Sequence, residues 1–138
     1  MMSYDELVKG RIFFGGAADA KDAVEAENIE IVYDVRANAV QDGEMPTSPI
    51  MCSPIVEQDL AGSIQAGAMG IKEAYEAGKN IYIHCGSGNG RASVMATAVL
   101  LELGLANDVQ SAEQLVKEAR PSANIRSNMH EALEKLYK

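Results

Sequence analysis

A cysteine and an arginine separated by five small residues form the segment of this sequence best suited to chemistry. The five residues are Gly86, Ser87, Gly88, Asn89 and Gly90. Apolar residues precede Cys85 and follow Arg91, which predicts a buried strand, a tight turn and the start of a helix. Glycines let backbone N–H groups converge, and a helix N-terminus adds partial positive charge. With Arg91, these groups would bind an oxyanion above the Cys85 sulfur and favour its thiolate form.

Each of these features has a plainer explanation when it is taken alone. A single cysteine at the end of a strand is usually a small core residue, and a glycine-rich turn often serves only as a tight connection. The combination is more specific, because Cys85, Gly88 and Arg91 are placed at fixed spacing between a predicted strand and a predicted helix. The sequence therefore predicts a thiol inside an anion-binding loop.

Strands and helices alternate along the rest of the chain. Strands are predicted over 11–14, 29–35, 50–53 and 81–83, and helices over 19–27, 64–77, 91–103, 111–120 and 127–136. Strands joined by helices indicate an α/β fold: a single domain over residues 1–138, with a central, mainly parallel sheet flanked by helices. Ligands of such sheets bind beyond the carboxyl ends of the strands, where Cys85 would lie.

Three predicted N-cap residues support the helix assignments. Asp19 precedes the first helix, Ser111 begins a capping box before the fourth, and Ser127 precedes the last.

The polar segment 36–49 is predicted to be the longest loop of the chain, and loops of that length are often functional.

Composition narrows the classes of partner and location. The chain has 138 residues and a formal net charge of −8, which disfavours binding to nucleic acid or to an anionic membrane surface. No apolar segment approaches the ~20 residues needed to span a bilayer. Only two cysteines are present, and this number suits a reducing, cytoplasmic environment better than a disulfide framework.

The pattern His84-Cys85-x-x-Gly88-x-x-Arg91 resembles the signature of the cysteine-based protein tyrosine phosphatases, most closely the compact dual-specificity type. Segments 10–16, 32–36, 53–56 and 118–121 resemble other parts of these enzymes, so that the likeness extends over nearly the full chain. Low-molecular-weight phosphatases and arsenate reductases place Cys-x5-Arg near the N-terminus, whereas here it lies in the middle of the chain.

The resemblance implies hydrolysis of phosphate monoesters in two steps. The Cys85 thiolate would attack phosphorus to form a phosphocysteine, and water would then release phosphate. No cofactor and no metal are implied. The expected substrate is a phosphorylated protein or a small phosphomonoester, and the oligomeric state is left open. The phosphoryl oxygens would be held by the backbone amides of Gly86, Ser87, Gly88, Asn89, Gly90 and Arg91 and by the guanidinium of Arg91.

A phosphatase of this type needs a carboxylic acid to protonate the leaving group, and two residues qualify. Asp59 has the residue type that the family uses and is the preferred candidate. Glu57 lies three residues after Pro54, where many relatives carry the acid, and is the alternative. The carboxylate that does not serve would be an ordinary solvated loop residue.

Ala92 is a departure from the family pattern, which has Ser or Thr directly after the arginine. That hydroxyl stabilises the departing thiolate, so its loss indicates slow dephosphorylation, for which Ser87 or Ser93 would have to compensate. A second hypothesis follows, in which the chain is a weakly active or inactive phosphate-binding module. A thiol redox or sulfur-transfer role is disfavoured by Arg91.

Two further residues are expected to support the loop. His84 is expected to order it, and Asn128 is expected to brace it.

Overall fold

The computed structural model describes residues 4–36 and 49–137. The strands are β1 (Tyr4–Val8), β2 (Ile12–Gly16), β3 (Ile31–Asp34), β4 (Ile50–Cys52) and β5 (Ile81–Cys85). The helices are α1 (Ala20–Glu27), α2 (Leu60–Glu76), α3 (Arg91–Glu102), α4 (Val109–Ala119) and α5 (Ser127–Leu136). Short 3-10 turns at Ala17–Asp19 and Glu57–Asp59 lead into α1 and α2.

The strands form one sheet in the order β1-β2-β5-β3-β4. β5 pairs in parallel with β2 and β3, and β3 pairs in parallel with β4, while β1 and β2 are antiparallel. The predicted α/β fold with a mainly parallel sheet is therefore confirmed. The strand that ends at Cys85 lies at the centre of the sheet, with β2 and β3 beside it.

Helices cover both faces of the sheet. Phe13 and Tyr82 face α1, together with Ala23 of that helix, in the smaller of two buried apolar clusters. Phe14 and Ile83, one residue further along each strand, face the larger cluster under α2–α5. This alternation with a period of two residues is what a sheet buried on both faces requires. Cys85 falls on the same face as Ile83, toward the larger group of helices.

The edge strand β1 was not predicted from the sequence. Its residues Asp5 and Glu6 interrupt the apolar alternation that identifies a strand, and among the described strands only β2 pairs with it. A tight turn joins the two strands, with Gly10 at a φ of 72°. The antiparallel hairpin thus arises from pairing with β2 rather than from a pattern within residues 4–8.

The helix starts differ from the predicted caps in detail. α4 begins after Asp108, whose Oδ1 accepts a hydrogen bond of 2.8 Å from the Ser111 backbone N–H, so the predicted Ser111 cap is wrong. Ser127 is the first residue of α5 and not its cap. Asp19 does precede α1, but its side chain makes no capping hydrogen bond.

Most of the predicted 36–49 loop, residues 37–48, lies outside the described residues. Among the residues that are described, no helix is long and apolar enough to cross a membrane.

Candidate active site

Cys85 and Arg91 mark the two ends of a loop at the carboxyl end of the central strand. Cys85 is the last residue of β5 and is 6% exposed, and Arg91 is the first residue of α3. The structure therefore has the predicted order of strand, tight loop and helix. The loop lies beyond the strand ends, between two parallel neighbours, where α/β proteins commonly bind ligands.

Every backbone carbonyl of this loop accepts a hydrogen bond from a donor outside it. A peptide unit is planar and trans, so its C=O and N–H groups point in opposite directions. The N–H groups of residues 87–91 therefore point away from these donors. The acceptor–donor pairs are Gly86 O with Ala17 N at 3.1 Å, Ser87 O with Arg120 Nη2 at 2.9 Å, Gly88 O with Ser93 Oγ at 3.2 Å, Asn89 O with Asn124 N at 2.6 Å, and Gly90 O with Val94 N at 3.0 Å.

One of these amides reaches the sulfur directly. The backbone N–H of Gly88 donates to Cys85 Sγ at 3.1 Å. A second, the N–H of Asn89, donates to the Ser87 hydroxyl at 3.2 Å. The loop thus directs the Gly88 N–H at the Cys85 thiol, and a backbone donor in this position can stabilise a negatively charged sulfur.

Glycines allow the loop to approach the sheet closely. Gly88 has a φ of 85°, and a Cβ at this position would collide with the backbone of Gly15 in β2. Gly15 also has no room for a Cβ, because Tyr4 and the hydroxyl of Tyr82 lie against it. Gly15 and Gly16 belong to β2, which therefore extends two residues beyond the strand predicted over 11–14.

Replacing Gly88 with alanine is expected to lower the free energy of unfolding by about 2–4 kcal/mol, because the variant adds left-handed backbone strain to a collision with Gly15. Chemical denaturation measures this change. Gly86→Ala is the matched control, since a Cβ at Gly86 has no atom within 4 Å, and it should change the stability by less than about 1 kcal/mol. Equal losses in the two variants would contradict this account of the loop.

The side chain of Arg91 is held by two partners on the segment before α2. Its Nε donates to the carbonyl of Ile55 at 3.0 Å, and its Nη2 donates to Glu57 Oε1 at 3.2 Å. The other carboxylate oxygen of Glu57 accepts a weak 3.4 Å hydrogen bond from Asn128 Nδ2. Asn128 therefore contacts Glu57, which in turn contacts Arg91, instead of bracing the loop itself.

The two candidate proton donors have different surroundings. Asp59 is the N-cap of α2, and its Oδ1 accepts a 3.1 Å hydrogen bond from the backbone N–H of Gly62. Glu57 is more than half exposed and pairs with Arg91. The geometry thus brings Glu57 into contact with a predicted phosphate ligand and gives Asp59 a capping role.

His84 and Asp34 are buried beside the loop. The Nδ1 of His84 lies 3.3 Å from the Cys85 carbonyl and 4.0 Å from Asp34 Oδ1. Burial lowers the pKa of His84, and the opposite effect of Asp34 is smaller. Burial by itself would raise the pKa of Asp34, but hydrogen bonds from Arg36 lower it below its usual value. His84 is thus a neutral side chain packed under the loop, and Asp34 and Arg36 form an ion pair.

Neither Ala92 nor Ser93, in the first turn of α3, offers a hydroxyl to the Cys85 thiol. Ala92 is fully buried. The Oγ of Ser93, which is also fully buried, donates to the Gly88 carbonyl at 3.2 Å. Ser93 therefore holds the loop in place, and its hydroxyl is already used when the position after Arg91 lacks one.

Two contributors to the site were missed in the sequence. The carbonyl of Ile55 fixes Arg91, and Arg120 bonds the loop at Ser87 and Asn89. Arg120 belongs to segment 118–121, already noted as resembling the phosphatases, but nothing in its local sequence indicated which residues it contacts. A backbone carbonyl such as that of Ile55 leaves no sequence signal.

Comparisons with known proteins give matches in structure but not in sequence. No protein-family sequence model matches the chain, and no curated protein sequence matches it. A mouse protein assigned as a dual specificity phosphatase, solved in complex with zinc tungstate, is 21% identical with a TM-score of 0.84, over 99% of this chain and 87% of that one. Human DUSP28 is 20% identical with a TM-score of 0.83, over 98% and 93% of the two chains.

PTPMT1, solved in complex with PI(5)P, is similar over 98% of this chain and 94% of its own, with 15% identity and a TM-score of 0.79. These likenesses cover almost the whole of each chain, and at such low identities they concern the fold. The five-stranded mixed sheet and its five helices, with Cys85 and Arg91 at the end of the central strand, have the fold of the dual specificity phosphatases.

Proposed function

We propose that this protein is a protein-tyrosine or dual-specificity phosphatase that hydrolyses phosphate monoesters through a phosphocysteine on Cys85. The observation that carries the proposal is the loop itself: all five of its carbonyls are bonded outward, and the Gly88 N–H is directed at Cys85 Sγ. A thiolate among convergent amides suits nucleophilic attack on phosphorus. Release of phosphate from a small aryl phosphate by the wild-type protein is the test.

The proposed roles follow from charge and geometry. Cys85 is the nucleophile, the amides of Gly86 to Arg91 bind the equatorial phosphoryl oxygens, and the Arg91 guanidinium binds two of them at once. In the absence of substrate Arg91 contacts Glu57 and Ile55. Arrival of a phosphoryl group would offer Arg91 a more highly charged partner than the single carboxylate of Glu57.

Either Asp59 or Glu57 is the proposed proton donor. Residue type favours Asp59, as in the sequence analysis. The contact of Glu57 with Arg91 supports Glu57, because a donor must come within hydrogen-bond reach of the leaving oxygen of a phosphoryl group held by Arg91. Asp59 is already engaged with the Gly62 amide at the start of α2. We therefore give Glu57 the role and retain Asp59 as the alternative.

Two isosteric variants separate these candidates. Glu57→Gln is expected to lower kcat roughly 10²-fold on a phosphate ester with a poor leaving group, and far less on an activated aryl phosphate, because only the poor leaving group needs a proton. Asp59→Asn is the matched comparison, since Asn also caps helices and keeps the start of α2 intact. A strong loss in Asp59→Asn with little change in Glu57→Gln would restore Asp59 as the acid.

A second candidate function, a phosphate-binding module with little turnover, is favoured by one observation. Ala92 cannot donate a hydrogen bond to the departing thiolate, and the neighbouring Ser93 hydroxyl is bonded to the Gly88 carbonyl. This candidate would be supported by tight binding of vanadate together with no release of phosphate above that of Cys85→Ser.

The proposed substrate class rests on the charge of this chain. PI(5)P is a ligand of PTPMT1, and the charge of this chain does not favour a lipid of that kind. Residues 86–90 of this chain contain no lysine, and the net charge of −8 disfavours a polyanionic lipid surface. A phosphorylated protein in the cytoplasm, or a small phosphomonoester, is therefore the proposed substrate.

A further inference from the structure

Arg120, at the end of α4, connects three parts of the fold through its guanidinium. Its Nη1 donates to Asp5 Oδ2 in β1 at 2.9 Å, its Nη2 donates to the Ser87 carbonyl at 2.9 Å, and its Nε donates to Asn89 Oδ1 at 3.0 Å. Arg120 as a whole is only 9% exposed. A planar guanidinium offers these N–H groups in fixed directions, so its orientation and that of the loop depend on each other.

The contact with the Ser87 carbonyl matters most for the thiol. The C=O of Ser87 and the N–H of Gly88 belong to the same peptide unit and point in opposite directions. Arg120 holds one end of this unit, and Cys85 Sγ accepts from the other end at 3.1 Å. Rotation of this unit would turn the Gly88 N–H away from the sulfur, so the Arg120 contact determines where that N–H points.

The neighbouring peptide is held from the same segment of the chain. Asn89 Oδ1 accepts from Ser122 Oγ at 2.7 Å as well as from Arg120, and the Asn89 carbonyl accepts from the Asn124 N–H at 2.6 Å. Segment 120–124 thus fixes residues 87–89 at several points. The charge of Arg120 is balanced by Asp5, so its effect on the thiol comes chiefly from aiming the peptide.

The geometry points to Arg120 as a positioning residue for the nucleophile: by holding the Ser87 carbonyl, it aims the Gly88 N–H at the Cys85 thiolate and stabilises that form. Arg120 acts through the peptide and does not touch the substrate. The importance of this role for catalysis rests on the proposed function, but the reactivity of the thiolate can be measured without turnover.

The test is the pH profile of Cys85 alkylation by iodoacetamide, followed by mass spectrometry of the Cys85 peptide because Cys52 is exposed and would react as well. In Arg120→Met, alkylation at about pH 6 should be roughly tenfold slower than in wild type, as expected for loss of one hydrogen bond to a charged acceptor. At about pH 9 the two rates should agree within about twofold, because the difference in thiolate fraction between the variants narrows as the pH rises. Simple loosening of the fold would instead speed alkylation at both values.

Three further variants complete the design. Arg126→Met removes an exposed arginine whose side chain makes no hydrogen bond to the loop within the described part of the chain, and it should match wild type. Asp5→Asn removes the ion pair but keeps the Ser87 contact, so its profile should stay within about twofold of wild type. Arg120→Lys serves as the test if Arg120→Met does not fold. Because an ammonium group cannot reproduce the several directed N–H groups of a guanidinium, alkylation at about pH 6 should be at least roughly threefold slower than in wild type.

A wild-type profile in folded Arg120→Met, or in Arg120→Lys where the Met variant is unfolded, would overturn the inference. So would an equal slowing in Asp5→Asn. Failure of phosphate-ester hydrolysis would refute the proposed function while leaving the alkylation result unaffected.

Discussion

Cys85→Ser is expected to reduce phosphate release from a small aryl phosphate by roughly 10⁴-fold or more. A serine hydroxyl stays protonated near neutral pH, and the Nδ1 of the adjacent His84 lies 3.3 Å from the Cys85 carbonyl oxygen. The substitution is nearly isosteric and keeps an acceptor for the Gly88 N–H. Binding of inorganic phosphate or vanadate should therefore survive, and calorimetry can measure it beside the kinetic assay.

The control for Cys85→Ser is the same change at the other cysteine. Cys52 is exposed at the end of β4, next to the strand β3 that separates it from β5. Cys52→Ser should retain wild-type turnover. Activity that survives in Cys85→Ser, or that is lost equally in Cys52→Ser, would show that Cys85 is not the nucleophile.

Arg91→Lys is expected to lower kcat/KM by roughly 10²–10³-fold, the effect typical of removing a donor that stabilises charge in the transition state. A lysine keeps the positive charge but binds one oxygen at a time, so the bidentate contact with the phosphoryl group is lost. It also cannot reproduce the pair of contacts that Arg91 makes with Ile55 and Glu57. Steady-state kinetics on an aryl phosphate, together with vanadate affinity, measures the loss.

Arg126→Lys is the matched change at an exposed arginine just before α5. It should leave both kcat/KM and vanadate affinity unchanged. If Arg91→Lys behaved like Arg126→Lys, with a normal thermal transition, the assignment of Arg91 as the phosphate ligand would be wrong.

The strand, loop and helix around Cys85 could be predicted because their signals are local. A run of apolar residues ends at Cys85, three of the following five residues are glycines, and a helical apolar pattern begins after Arg91. The parallel sheet followed from the alternation of strands and helices. The requirement for Gly15 could not be predicted, because it depends on Tyr4 and Tyr82, whose positions against β2 are visible only in three dimensions.

Other features of the site depend on contacts between distant residues. Arg120 reaches Ser87 and Asp5, and Asn128 reaches Glu57, across separations that leave no periodic pattern in the sequence. β1 lacks a clear alternation and exists because β2 offers an edge. Residue type favoured Asp59 as the acid, whereas the contact with Arg91 that supports Glu57 is visible only in three dimensions.

The central claim is that Cys85 becomes phosphorylated during turnover, and mass spectrometry after a rapid denaturing quench tests it most directly. Because Ala92 supplies no hydroxyl and Ser93 is bonded to Gly88, breakdown of the intermediate should be slower than its formation. We expect a burst of aryl alcohol close to one equivalent per protein and a phosphoryl group on the Cys85 peptide. Phosphate release without any phosphoryl group on Cys85 would contradict the account.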